Sequence, residues 1–321
     1  MRSLKGKRVL ITGGAGFIGS HLAEVVLKEG AAELFIVDNF FVGKEENLAA
    51  IKENKNVVVF KEDACDLNSM EAIIRRGNIQ VVYNLATMAL IYSFFNPHTA
   101  CMLNVRLMDT LLNLLRGEKF ETLIHVSSSE AYGAALYAPM DEGHPLNPTT
   151  PYAAGKAAAD LMLKSFYNLY NHDTVIVRPF NNYGPRQNIE GPLAGIIPLT
   201  VRRILAGEKP VIEGDGSQTR DYIYVADTVR GLIAAYNNEN IRGETINLGS
   251  GAERRISDIV KKICEHLGYA GPVEHTPARQ ADVKRLCAST KKAESLLHFS
   301  PEISFENGLA KTLNWYMGKK R

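Results

Sequence analysis

Cysteine is scarce in this chain of 321 residues: Cys65, Cys101, Cys264 and Cys287 are all there is. None stands at Cys-x-x-Cys spacing and none has a histidine pair nearby, so a zinc centre is not expected and no metal is predicted. The four read as reduced, small hydrophobic residues, as in a cytoplasmic protein. An excess of one charge is also missing. Lysine and arginine number 37 against 35 acids, a net charge of +2, and the only basic block is Lys319-Lys320-Arg321. Nucleic acid is therefore not an expected partner. Long apolar runs are missing too: none approaches the ~18 residues that a membrane span needs. The basic start, Met1 to Lys7, is followed by too short an apolar run for a signal peptide. No internal repeat or low-complexity tract is visible. What is present is 45% hydrophobic and 22% charged residues. That composition supports a sizeable core, at a length suited to one large α/β domain with an appendage.

Apolar runs at Arg8–Ile11, Leu34–Val37, Val57–Phe60, Gln80–Leu85, Thr122–Val126 and Thr174–Val177 read as strands. Helical patterns separate them, notably Phe17–Glu29, Thr99–Leu115 and Tyr152–Tyr170. Strands alternating with helices predict an α/β fold built on a doubly wound parallel (Rossmann) sheet. Residues 1–180 are assigned to this NAD-binding domain, with segments near 212–250 returning to it. Residues 181–211 and 251–321 are assigned to a smaller C-terminal substrate-binding cap. Ligands bind beyond the C-terminal strand ends of such sheets. That rule lines up Gly13–Gly19, Asp38, Asp63, Leu85–Thr87, Ser127–Glu130 and Pro179–Asn182 along one rim.

The richest stretch is Val9-Leu10-Ile11-Thr12-Gly13-Gly14-Ala15-Gly16-Phe17-Ile18-Gly19. An apolar run, three glycines spaced by three, and an amphipathic segment predict a strand, a tight turn and a helix N-terminus. Such a turn offers unpaired N–H groups and a positive dipole end to a pyrophosphate. Asp38 follows Gly19 by about twenty residues, where a carboxylate can hold both ribose hydroxyls of an adenosine. An acid there repels a 2′-phosphate and favours NAD over NADP, although Lys44 lies close by.

Tyr152 and Lys156 sit at i and i+4, on one helix face. A tyrosine near pKa 10 is a poor base at neutral pH. An ammonium one turn away, with a positive nicotinamide ring, favours its phenolate. Ser127-Ser128-Ser129-Glu130 follows the fifth strand, where a hydroxyl can share a hydrogen bond with a substrate oxygen. Alone, the first pair is an ordinary helix-surface pair and the serine run a cap or turn.

Together with Asn84-Leu-Ala86, Arg178-Pro-Phe-Asn-Asn-Tyr-Gly-Pro185 and Gly214-Asp-Gly-Ser-Gln-Thr-Arg-Asp-Tyr-Ile-Tyr-Val225, these motifs resemble the extended short-chain dehydrogenase/reductases that modify nucleotide sugars. The resemblance covers nearly the whole chain. It implies that Tyr152 takes the sugar O4 proton, with Lys156 as its electrostatic partner, Ser128 as the adjacent hydroxyl and Ser129 beside it. NAD would accept the C4 hydride. Its binding residues would be Gly13, Gly16, Phe17, Ile18, Gly19, Asp38, Asn39, Asp63, Ala64, Leu85, Ala86, Thr87, Asn104, Ser127, Tyr152, Lys156 and Pro179. The resemblance places Asn181, Arg220, Arg279 and Asp282 on the nucleotide-sugar substrate. It also implies a homodimer through a four-helix bundle made from Thr99–Leu115 and Tyr152–Tyr170 of each subunit.

A C4 ketone is common to several outcomes. Return of hydride to the other face gives the C4 epimer. Removal of the C5 proton lets water leave from C6 and gives a 4-keto-6-deoxy sugar. A C6 carboxylate can instead leave as carbon dioxide. Glu130 orders these outcomes. Family 4-epimerases usually lack an acid before the Φ-Tyr-Gly, whereas many 4,6-dehydratases and the UDP-glucuronate decarboxylases carry Glu there. Ser128-Ser129-Glu130-Ala131-Tyr132-Gly133 therefore points first to an NDP-hexose 4,6-dehydratase, with UDP-N-acetylglucosamine a candidate substrate. A UDP-hexose C4-epimerase comes second and the decarboxylase third. A non-catalytic NAD-binding protein on the same fold would be expected to have lost one of Tyr152, Lys156 and the serine.

Overall fold

The computed structural model describes residues 2–190, 194–278 and 283–318. Its strands are β1 (Arg8–Thr12), β2 (Glu33–Val37), β3 (Val57–Phe60), β4 (Val81–Asn84), β5 (Thr122–Val126), β6 (Asp173–Pro179), β7 (Asn181–Tyr183), β8 (Val211–Glu213), β9 (Thr219–Tyr224), β10 (Thr245–Leu248), β11 (Glu253–Arg255), β12 (Glu274–Thr276) and β13 (Arg285–Leu286). The helices are α1 (Phe17–Lys28), α2 (Leu67–Gly77), α3 (Pro97–Arg116), α4 (Pro151–Tyr170), α5 (Ile196–Leu205), α6 (Val225–Asn237), α7 (Ile256–His266), α8 (Lys291–Leu297) and α9 (Phe305–Gly318).

Seven parallel strands form the main sheet in the order β10-β6-β5-β4-β1-β2-β3. The order reverses direction beside β1, and this is the switch point where doubly wound sheets bind ligands. Alternate residues of each strand feed opposite faces. Val9 and Ile11 pack with Leu22, Ala23 and Val26 of α1 and Val229 and Leu232 of α6. Leu10, Val82 and Leu123 pack with Ile73 of α2, Leu107 and Leu111 of α3 and Leu163 of α4. Local chemistry starts the long helices where the pattern predicts. Asn96 accepts from Thr99 N and Thr150 from Ala153 N, each followed by a proline in the first turn. Proline fits there because its missing N–H would be unpaired in any case.

Of the stretch near 212–250, α6 and β10 belong to the main body, and β10 pairs with β6. β8 and β9 do not: β8 pairs with β12, and β9 pairs with β7, β11 and β13 in the cap. Conversely, α8 comes from the stretch assigned to the cap but lies on the main core. Ala293, Leu297 and Phe299 bury there, which the short polar surroundings of α8 conceal in the sequence. The cap has its own core around Tyr183, Tyr222, Ile259, Ile263 and Leu313.

Candidate active site

β1 delivers the chain into the glycine turn at its C-terminal end. Gly13 has φ +69°, and a Cβ there would sit 2.8 Å from the backbone of Ala86. A Cβ on Gly19 would meet Gly13 O at 2.2 Å. The turn therefore closes tightly on both the β4 loop and α1. Gly16 caps α1 with no side-chain hydrogen bond, and the first turn of α1 carries no acid. Its amides thus remain open to an anion, and no carboxylate competes for them. This is the arrangement a dinucleotide pyrophosphate requires.

Asp38, at the end of β2, is buried, and its carboxylate already accepts Ala15 N and Phe40 N, each at 2.9 Å. It therefore fixes the glycine turn as well as facing the cavity, and burial raises its pKa above the ordinary carboxylate value. Lys44, close enough in sequence to suggest a 2′-phosphate contact, pairs with Glu190 at 2.8 Å. Asn39 Oδ1 accepts Phe41 N at 3.0 Å and Asp63 Oδ1 accepts Cys65 N at 2.9 Å, so each shapes its own turn.

A cavity of about 350 Å³ runs along this rim. Its wall includes Gly13, Gly16, Phe17, Ile18, Gly19, Asp38, Asn39, Asp63, Ala64, Leu85, Ala86, Thr87, Ser127, Ser128, Tyr152, Lys156 and Pro179. Of the expected cofactor residues, Asn104 lies behind the wall, where its Oδ1 accepts the Thr87 hydroxyl at 3.0 Å. Sequence reasoning missed Phe41, Met88, Gln187 and Asn188, which also line the cavity. They come from irregular segments, and no periodicity marks them.

Tyr152 is buried, which pushes its phenol up to about 12. Hydrogen bonds with the Ser128 and Thr87 hydroxyls pull it back, and the nearby Glu130 charge pushes it up. Lys156 Nζ donates to Val126 O at 2.9 Å. Burial lowers its ammonium to about 8, with Asp160 acting against that. The expectation that Lys156 alone favours the phenolate is therefore incomplete. Burial dominates at both groups, so without a further positive charge beside it the tyrosine keeps its proton.

Ser128 begins a short helical turn, and its Oγ accepts Glu130 N at 3.2 Å. Ser129 is buried behind that turn, and Glu130 is half-buried in it; neither lines the cofactor cavity. Asn181 lies on β7 with its Oδ1 buried and without a hydrogen-bond partner among the described residues. Arg220 is buried on β9, where its Nη1 donates to Thr219 O at 2.8 Å. The neighbouring acids have other partners: Asp221 accepts Ser250 N and Oγ, Gly251 N and Ala288 N, and Asp215 accepts Ser217. Arg279 and Asp282 lie outside the described residues. No group of metal-ligating side chains and no helix long and apolar enough to cross a membrane occurs among the described residues.

Sheet, glycine turn and Tyr–Lys pair define a dinucleotide-binding α/β oxidoreductase fold with a general-base tyrosine. The family model described as GDP-mannose 4,6 dehydratase matches residues 10–312. A putative UDP-glucose 4-epimerase of Methanocaldococcus jannaschii is 32% identical over 98% of this chain and 99% of its own length. A UDP-N-acetyl-alpha-D-glucosaminuronate decarboxylase of Bacillus cytotoxicus is 32% identical over 97% of this chain and 98% of its own. A double mutant of the dTDP-glucose 4,6-dehydratase DesIV from Streptomyces venezuelae, crystallised with NAD, superposes with a TM-score of 0.92. It is 29% identical, over 98% of each chain. The chain belongs to the GDP-mannose 4,6-dehydratase family, a family of NAD-dependent nucleotide-sugar epimerases and dehydratases within the extended short-chain dehydrogenase/reductases.

Proposed function

We propose that this protein is an NAD-dependent NDP-hexose 4,6-dehydratase that oxidises its sugar at C4, with UDP-N-acetylglucosamine the first substrate to test. The observation that carries this reading is Glu130. It is half-buried in the turn that presents Ser128, and close enough to Tyr152 for its charge to be felt there. Bound NAD supplies the hydride acceptor, its positive ring, and later the returning hydride. The glycine turn and the start of α1 hold the pyrophosphate, and Asp38 the adenosine ribose. Tyr152 takes the O4 proton, helped by Ser128 and by the Lys156 ammonium. Glu130 removes the C5 proton, which the C4 ketone has made acidic, and water leaves from C6. Asn181, Arg220, Arg279 and Asp282 hold the nucleotide from the cap. The assigned division, a cofactor domain of residues 1–180 and a substrate cap drawn from 181–211 and beyond 251, fits this separation of tasks. A homodimer in the cytoplasm completes the reading.

C4 epimerisation is the second reading, favoured by the relative from Methanocaldococcus jannaschii. It needs only the Tyr152 site and a keto-sugar that turns over. Incubation with UDP-N-acetylglucosamine, UDP-glucose and UDP-glucuronate, followed by product analysis, separates them. A 4-keto-6-deoxy product supports dehydration. A C4 epimer with no loss of water, or pentose and carbon dioxide from the glucuronate, contradicts it.

A further inference from the structure

One row of polar side chains crosses an otherwise apolar sheet face. Thr12, Asn84 and His125 are register neighbours on β1, β4 and β5. They stand two residues after Leu10, Val82 and Leu123, so they share the face that α3 and α4 cover. All three are buried, as is Asp160 on α4, one turn beyond Lys156. Buried polar groups need partners, and these find them in each other.

The directions of the bonds follow from the chemistry. Ala86 N–H donates to Thr12 Oγ1 at 3.3 Å, so the Thr12 hydroxyl is free to donate onward, to Asn84 Oδ1 at 2.7 Å. That fixes the Asn84 amide with its NH₂ towards His125 Nδ1, at 3.1 Å. Nδ1 must then accept, and in a neutral ring the proton lies on Nε2. Burial lowers the His125 pKa, so the ring is neutral. Nε2 faces Asp160 Oδ1 at 3.5 Å. The other carboxylate oxygen accepts Ser127 Oγ and Arg178 Nε, each at 2.8 Å. A reversed line would aim a bare nitrogen at a carboxylate.

We propose that Thr12, Asn84, His125 and Asp160 are positioning residues forming a one-directional hydrogen-bond line that runs from the cofactor-cavity wall and keeps Lys156 an ammonium. The charged and titratable groups around Lys156 are Tyr152 and Asp160 on its own helix, His125 from β5 and Arg178 from β6. Arg178 and His125 oppose the ammonium, while Asp160 supports it and is itself held ionised by His125, Arg178 and Ser127. The importance of the line to turnover rests on the reading of Lys156 as the partner of Tyr152. The charge state of Lys156 does not, and it can be measured without substrate.

The test is a pH titration, by NMR, of protein carrying ¹³Cε-labelled lysine, with the Lys156 resonance assigned through Lys156→Met. In Asp160→Asn the Lys156 midpoint is expected to fall by about one pH unit, the lower end of the effect of a lost opposite charge nearby. In Thr12→Val, where the Asn84 amide is free to turn over, the midpoint falls less but in the same direction. The ¹⁵N spectrum of His125 then shows the proton on Nδ1 in place of Nε2. A folded Asp160→Asn protein with an unmoved midpoint overturns the proposal. Should that variant not fold, an unchanged midpoint and tautomer in Thr12→Val overturn it instead. Failure of wild-type protein to reduce NAD with any nucleotide sugar would count against the proposed function and leave this result standing.

Discussion

Burial, more than charge pairing, sets the behaviour of the two central residues. Tyr152 is pushed up to about 12 and Lys156 down to about 8. The ammonium is complete below pH 8 and is lost as pH rises through it. NAD reduction by nucleotide sugar is therefore expected to decline on the alkaline side, with a midpoint near 8 in a stopped-flow pH series. Tyr152→Phe removes the general base and should slow that reduction by about 10²–10⁴-fold with an unchanged melting temperature, since general bases contribute on that scale. Glu130→Gln has a different expected signature: NAD is still reduced, but exchange of the C5 proton with solvent stops. Persistent exchange would remove Glu130 from the chemistry. These residues were legible in the sequence because each stands in a motif. Asp160 and His125 were not, because one buried acid or histidine among apolar neighbours has no motif, and its partners lie on strands far apart in the chain.

At the scale of elements, the site depends on how closely α3 and α4 approach. Gly155 lies between Tyr152 and Lys156, and a Cβ there would sit 2.4 Å from Cys101 O on α3. The obstacle is backbone, so α4 must shift for Gly155→Ala to be accommodated. Overpacking of this kind costs about 1–3 kcal/mol. The expected result is a lower midpoint in denaturant together with slower NAD reduction, because the shift moves Tyr152 away from Ser128. Strands and long helices were readable within a residue or two, since each pairs a strong period with a cap or a turn. Thr174–Val177 is one example, observed as Asp173–Pro179. The short strands β8 and β9 were misplaced because an edge strand of a few residues has no period that names its sheet. The partner is set by register with β12 and β7, which only the folded chain contains.

Over the whole molecule, the main sheet presents the cofactor cavity and the cap closes over its rim. The segment 185–190 ties the two together through His21 Nε2 to Pro185 O at 3.0 Å, Lys44 to Glu190 at 2.8 Å and Tyr316 OH to Gln187 O at 2.6 Å. Away from the cavity, α4 exposes Leu161 at 57% and Leu169 at 72%, and α3 exposes Met102. The proposed homodimer would cover this surface. Leu161→Glu with Leu169→Glu should convert it to a monomer by light scattering at micromolar concentration. A wild-type protein that is already monomeric there would remove the four-helix bundle from the account.

The central claim is that Tyr152 and Glu130 act in turn on one sugar, first at O4 and then at C5. The mass and deuterium content of the product formed from UDP-N-acetylglucosamine in D₂O tests it most directly. The account predicts a product lighter by one water and carrying one solvent deuterium at C5. A product of unchanged mass, epimerised at C4 and free of deuterium, would contradict it.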